Sequence, residues 1–149
     1  MSIYKFSDAA ITVTLQLDGG ITIITGDSAT GKTFFLNRLK MAIKERSLRE
    51  FVKTNYDLDK TYVCLDRDSI DKMYNREKNL IFIDRFDTIA LDDKTYKVNR
   101  QLIDFINDSD NIFVIMTRGS IEGIMCRFTD IKKLKNEVTD NTIKIYTTM

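Results

Sequence analysis

Apolar and polar positions along this chain switch between two periods. Across residues 3–17, Ile11, Val13, Leu15 and Leu17 fall on one side while Thr12, Thr14 and Gln16 fall on the other, which predicts a half-buried strand. Asp18-Gly19-Gly20 carries turn chemistry, so this strand is expected to pair with, or lie beside, the continuous β-branched run at residues 21–25. That run reads as a strand covered on both faces. Beyond it the period lengthens. Phe35, Leu36, Leu39 and Ile43 recur at helical spacing, with Arg38, Lys40, Lys44 and Glu45 elsewhere, predicting a helix from Lys32 to Arg49.

Residues 50–60 read as a polar connector. Tyr62, Val63, Cys64 and Leu65 make a short strand ending at Asp66, and residues 69–78 a short helix with Ile70, Met73 and Tyr74 inward. Leu80, Ile81, Phe82 and Ile83 form a buried strand closed by Asp84. Asp92-Asp93 then precede a helix on which Val98, Leu102, Phe105 and Ile106 share a face, with the acidic pair near its positive end. Residues 112–116 are the next apolar strand, followed by Thr117-Arg118-Gly119, and residues 142–147 alternate as a last strand. Strands alternating with helices predict one α/β domain with a mostly parallel sheet and an antiparallel strand at its N-terminal side. Ligands of such sheets sit at the carboxyl ends of the strands, and Gly26, Asp66, Asp84 and Thr117 all fall at such ends.

Composition narrows the function classes. A chain of 149 residues suits a single domain with a real core. Its 23 Lys and Arg against 22 Asp and Glu give a net charge of +1, so no global field marks it for nucleic acid, membrane or acidic partners. Histidine is absent, which excludes Ser-His-Asp and Cys-His catalysis and the usual His-bearing metal sites. Cys64 and Cys126 lack C-x-x-C spacing and read as small core residues of a protein in a reducing compartment. The first residues carry no export pattern and no apolar run is long enough to span a bilayer, so the expected location is cytoplasmic.

The candidate chemistry lies between the run at 21–25 and the helix after it. Gly26, Gly31, Lys32 and Thr33 meet the spacing G-x-x-x-x-G-K-[ST] in the strand-loop-helix context that this motif requires. Backbone N–H groups of Gly26, Asp27, Ser28, Ala29, Thr30 and Gly31 would cradle phosphates, aided by the dipole of the following helix. Lys32 would reach the β- and γ-phosphates and the Thr33 hydroxyl would ligate Mg²⁺. The plain alternative is a glycine turn before an ordinary helix. Asp84 either holds the magnesium, directly or through a water, or caps the segment after its strand.

With these residues in place the chain resembles a P-loop NTPase, with Gly26 to Thr33 as Walker A and Leu80-Ile81-Phe82-Ile83-Asp84 as Walker B. The extra strand at Tyr62 to Leu65 resembles the additional-strand division, to which ABC, RecA-like and AAA-like ATPases belong. That resemblance implies a three-layer fold with strand order 5-1-4-3-2. The start of the chain, a strand followed by Gly-Gly and Walker A, is similar to the head of ABC-type ATPases, whereas Thr117-Arg118 looks like the Thr-Arg sensor of STAND and AAA-like ATPases.

Two departures bear on activity. No Leu-Ser-Gly-Gly-Gln signature follows the helix, and Arg85 stands where members of this division often carry a catalytic Glu. Asp87, Asp66 and Glu122 are candidates to orient the attacking water, each with a surface or capping role as its alternative. Arg118 either stabilises charge on the γ-phosphate or is a solvated residue after a strand. Arg85 would lie across the same rim or pair with Asp87. Without an Asn-Lys-x-Asp motif the resemblance favours ATP over GTP. Lys132-Lys133-Leu134-Lys135 reads as a solvated face, with nucleic-acid contact as the alternative. These readings lead to an ATP–Mg²⁺-binding protein, a slow ATPase or one switched by a protein partner. A small-molecule or nucleotide kinase and a non-catalytic nucleotide-binding module are its rivals.

Overall fold

The computed structural model describes residues 2–17, 20–25, 32–90, 99–117 and 144–147. In chain order these form β1 (Ser2–Ser7), β2 (Ile11–Leu17), β3 (Ile21–Thr25), α1 (Lys32–Lys44), β4 (Lys53–Thr54), β5 (Thr61–Cys64), α2 (Asp68–Asp71), β6 (Leu80–Ile83), α3 (Phe86–Ile89), α4 (Arg100–Asp108), β7 (Ile112–Thr117) and β8 (Lys144–Thr147). Short 3₁₀ segments lie at Arg46–Phe51 and Leu58–Lys60.

The β-branched and apolar runs, which have no polar face to turn outward, assemble into a four-stranded parallel sheet of order β3-β7-β6-β5. Ile23, Ile115, Ile83 and Cys64 lie side by side across it. The alternating strands go elsewhere, into a second, antiparallel sheet of order β4-β1-β2-β8. The molecule is therefore α/β with the two kinds of strand pattern sorted into two sheets.

The sorting corrects several expectations. The strand expected over residues 3–17 is a hairpin, β1 antiparallel to β2, and the buried set changes phase across its turn, from Tyr4 and Phe6 to Ile11, Val13, Leu15 and Leu17. Asp8 makes that turn: its Oδ1 accepts from the backbone N–H groups of Ala10 at 2.8 Å and Ile11 at 3.0 Å. β2 pairs with β1 and β8, not with β3, whose described partner is β7. The last strand, expected beside β3 as the fifth of the parallel sheet, instead runs antiparallel to β2, with Ile11 opposite Thr147. Its alternating pattern suits a sheet with one covered face.

Helices are shorter than the periodicity suggests. α1 ends at Lys44, where Arg49 reaches back to donate from Nε to the Ala42 carbonyl at 3.1 Å and from Nη2 to the Ile43 carbonyl at 3.0 Å. Those carbonyls would otherwise lack partners, so Arg49 caps the helix and the chain continues as a 3₁₀ segment. The helix expected over residues 69–78 is a single turn, Asp68–Asp71, although Ile70 and Met73 are buried as read. The connector at 50–60 contains β4 and a 3₁₀ turn. α4 is opened by Asn99, whose side chain accepts from the Leu102 N–H at 3.1 Å; Val98, Asp92 and Asp93 lie outside the described residues.

Each face of the parallel sheet has its own apolar cluster. One joins Ile21, Ile23, Ile81, Ile83, Phe113 and Ile115 to Leu102, Ile103 and Ile106 of α4. The other joins Ile24, Phe82, Val114 and Met116 to α1 and to the inner face of the antiparallel sheet. At its centre Phe35 of α1 meets Phe82 edge-to-face with centroids 5.6 Å apart, and Tyr4 meets Phe82 at 5.3 Å. α1 is thus seated between two sheets, which fixes its first residues against the carboxyl edge of the parallel one.

Candidate functional site

At that edge the site is assembled from three elements. β6 delivers Asp84, one residue past its last rung, and the Asp84 N–H donates to the Cys64 carbonyl of β5 at 2.9 Å, extending the ladder by one bond. Asp84 is buried, only 5 % exposed. A buried carboxylate requires donors. Among the described residues Oδ1 accepts from the Arg85 N–H at 2.9 Å, and Oδ2 accepts from the Thr33 hydroxyl at 3.3 Å.

Thr33 is the second residue of α1 and lies 51 positions before Asp84. Lys32, the first residue of α1, is 4 % exposed, so its cationic side chain is held in the protein instead of extending into solvent. Burial of a lysine is uncommon, and at a helix start it places a positive charge where the helix dipole is also positive. Thr117 ends β7, 2 % exposed, in register with Thr25 of β3. The sequence expectation that Asp84 and Thr117 fall at strand carboxyl ends is met, and Thr33 joins them.

Arg85 adopts a left-handed backbone, φ 48° and ψ 48°, directly after the strand. Its Nη2 donates to the Leu65 carbonyl at 2.9 Å, so the side chain lies across the rim toward the end of β5. Nothing in the sequence signals this conformation, which glycine or asparagine would have announced. Asp66 takes its capping alternative. Its Oδ1 accepts from the Ser69 N–H at 2.9 Å and from the Ser69 hydroxyl at 2.8 Å, and these bonds hold its carboxyl below the usual carboxylate range. A carboxylate stabilised in this way is a poor base for an attacking water.

Cys64 fits its reading as a core residue. Burial pushes its thiol from 9.0 up to about 12, with Asp66 a further contribution, and Sγ donates to the Asp66 carbonyl at 3.4 Å. It remains an unreactive thiol at neutral pH.

The donor set suits a hard cation. A hydroxyl and a carboxylate oxygen side by side match the ligand preference of Mg²⁺, which takes few protein ligands and completes its shell with water or phosphate oxygens. Among the described residues no group of three or more Cys, Asp or Glu could hold a metal unaided. Gly26, Asp27, Ser28, Ala29, Thr30, Gly31, Arg118, Glu122, Cys126, Arg127, the Asp87 side chain and residues 132–135 lie outside the described residues; the Asp87 backbone falls within α3. No described helix is long and apolar enough to cross a membrane. No family model, curated protein or solved structure matches the chain.

Proposed function

We propose that the chain is a P-loop domain of the additional-strand type that binds ATP with Mg²⁺ and works as a slow or partner-stimulated ATPase switch. One observation carries this reading: the Thr33 hydroxyl and the Asp84 carboxylate, 51 residues apart, meet at 3.3 Å on the carboxyl edge of a parallel sheet. A glycine turn before an ordinary helix would give no reason for the threonine of the motif to meet the carboxylate of a separate strand.

Each residue then has a task. The backbone N–H groups from Gly26 to Gly31 would bind the phosphates, Lys32 would place its charge against the β- and γ-oxygens, and Thr33 with Asp84 would hold the metal. Mg²⁺ there neutralises charge that develops on the phosphates. Arg118 and Asp87 are assigned to the γ-phosphate side, as sensor and as orienter of the water. The expected protein partner would supply or position what this rim lacks.

Two features of the rim support slow turnover. Arg85 holds the place after Asp84 and is bonded to Leu65, while Asp66 is bonded to Ser69. The same two observations favour a second reading, a module that binds nucleotide without hydrolysing it. Calorimetric titration of Mg–ATP into the native protein and Lys32→Ala tests the binding assignment. A loss of affinity of about tenfold or more is expected for Lys32→Ala, and equal affinities would sink the assignment. Measurable hydrolysis abolished by Asp84→Ala would dismiss the non-hydrolysing module.

A further inference from the structure

A second concave surface lies beside β5, along the half of α1 that carries Lys40 and Lys44. It is a cleft of about 460 Å³. Lys40 and Lys44 line it from α1, and Lys72 and Arg76 from the segment that follows α2. The opposing carboxylates are Asp66 and Asp68. Asp66 stays ionised beside Lys40, so the four cations outnumber two carboxylates, and among the described residues no ion pair within 4.0 Å engages Lys40, Lys44 or Lys72.

Four cations gathered on one concavity, in a chain whose net charge is only +1, repel one another and focus a positive potential inward. Arg76 is the most ordered of them. Its guanidinium stacks over the Tyr62 ring at 4.2 Å, and Nη1 lies 2.9 Å from the Asn79 side-chain amide. Its Nε is buried without a hydrogen-bond partner. With Nε sealed in and one face on Tyr62, Arg76 contributes a fixed positive charge to the wall, and the flexible lysines around it supply the donors that a phosphate group would take.

We infer that this cleft, which meets the strand-end rim at Asp66, is a binding site for a small phosphate-bearing molecule, distinct from the Thr33–Asp84 pair. The inference stands whether or not the nucleotide reading holds. Size and stacking distinguish a small molecule from a nucleic-acid strand. The volume falls in the range of pockets that enclose small ligands. Single strands are gripped through open aromatic faces, and one face of Tyr62, the ring that lines the cleft, is already covered by Arg76.

Amide chemical-shift titration of the full chain with phosphoserine tests the site. Saturable shifts are expected at Lys44, Tyr62, Ser69 and Lys72, distinct from any at Thr33 or Asp84. Lys44→Glu/Lys72→Glu should weaken them by about tenfold or more, and Lys44→Arg/Lys72→Arg should keep them. Both lysines are exposed, and amide dispersion in the same spectra reports that the variants fold; Lys72→Glu alone repeats the test with a single change. Absence of saturable shifts in the cleft, or shifts unchanged by the glutamate variants, would overturn the inference. So would tighter binding of a short single-stranded oligonucleotide that displaces phosphoserine.

Discussion

Arg85 is where sequence and backbone disagree most. A left-handed conformation costs a non-glycine residue roughly 1–2 kcal/mol, and here its guanidinium bond to the Leu65 carbonyl offsets part of that cost. Arg85→Gly removes both the cost and the bond, so its unfolding free energy should stay within about 1 kcal/mol of the native value. Arg85→Val loses the bond and adds a branched Cβ at positive φ, and should fall by about 1–2 kcal/mol further. Urea denaturation of the two variants distinguishes them; equal stability would mean that the backbone there is not held left-handed. Thr33 and Asp84 were legible because spacing and strand context name them together. Arg85 was not, since its conformation is imposed by the turn from β6 into α3 and not by its own preference. Asp66 was half legible: Asp followed three residues later by Ser is a capping pattern, and it competes with a catalytic reading until the bond is seen.

Elements were legible wherever the pattern was one-sided or wholly apolar. β6 matches the run Leu80 to Ile83 residue for residue, and the inward faces of α1 and α4 follow their period. The N-terminal hairpin was obscured because both of its strands alternate, and only the phase shift around Asp8 betrays the turn. Pairing partners were obscured too, since strand neighbours depend on which faces remain to be covered. α1 is seated through Phe35 and its ring contacts with Phe82, Tyr4 and Phe6. Phe82→Ala would open a cavity beneath that helix and should lower the unfolding free energy by about 3–5 kcal/mol, read from the denaturant midpoint. A loss under about 1 kcal/mol would contradict the seating of α1 described above.

For the molecule as a whole, ligand and stability are linked. If Mg–ATP binds the folded chain alone, nucleotide at about a hundred times its dissociation constant adds about 2.7 kcal/mol. That corresponds to a rise in melting temperature of roughly 5–10 °C for a domain of this size. Scanning calorimetry with and without Mg–ATP measures it, and Asp84→Ala should shrink the rise; no rise in the native protein would count against the proposed function. The α/β class was legible from the alternation of strand and helix. The second sheet was not, because β1, β2, β4 and β8 come from both ends and the middle of the chain and meet only once the core forms.

The parallel sheet also acts as a wall. Side chains from β6 and β7 enter one chamber or the other, Phe82 and Val114 on the α1 side, Ile83 and Phe113 on the α4 side, and only backbone passes between them. Groups that share no contact respond to change independently. The α4 chamber reaches the site only through the strand end itself, where Asp84 follows Ile83 and bonds to Cys64, so repacking there is felt by Asp84 before it is felt by α1.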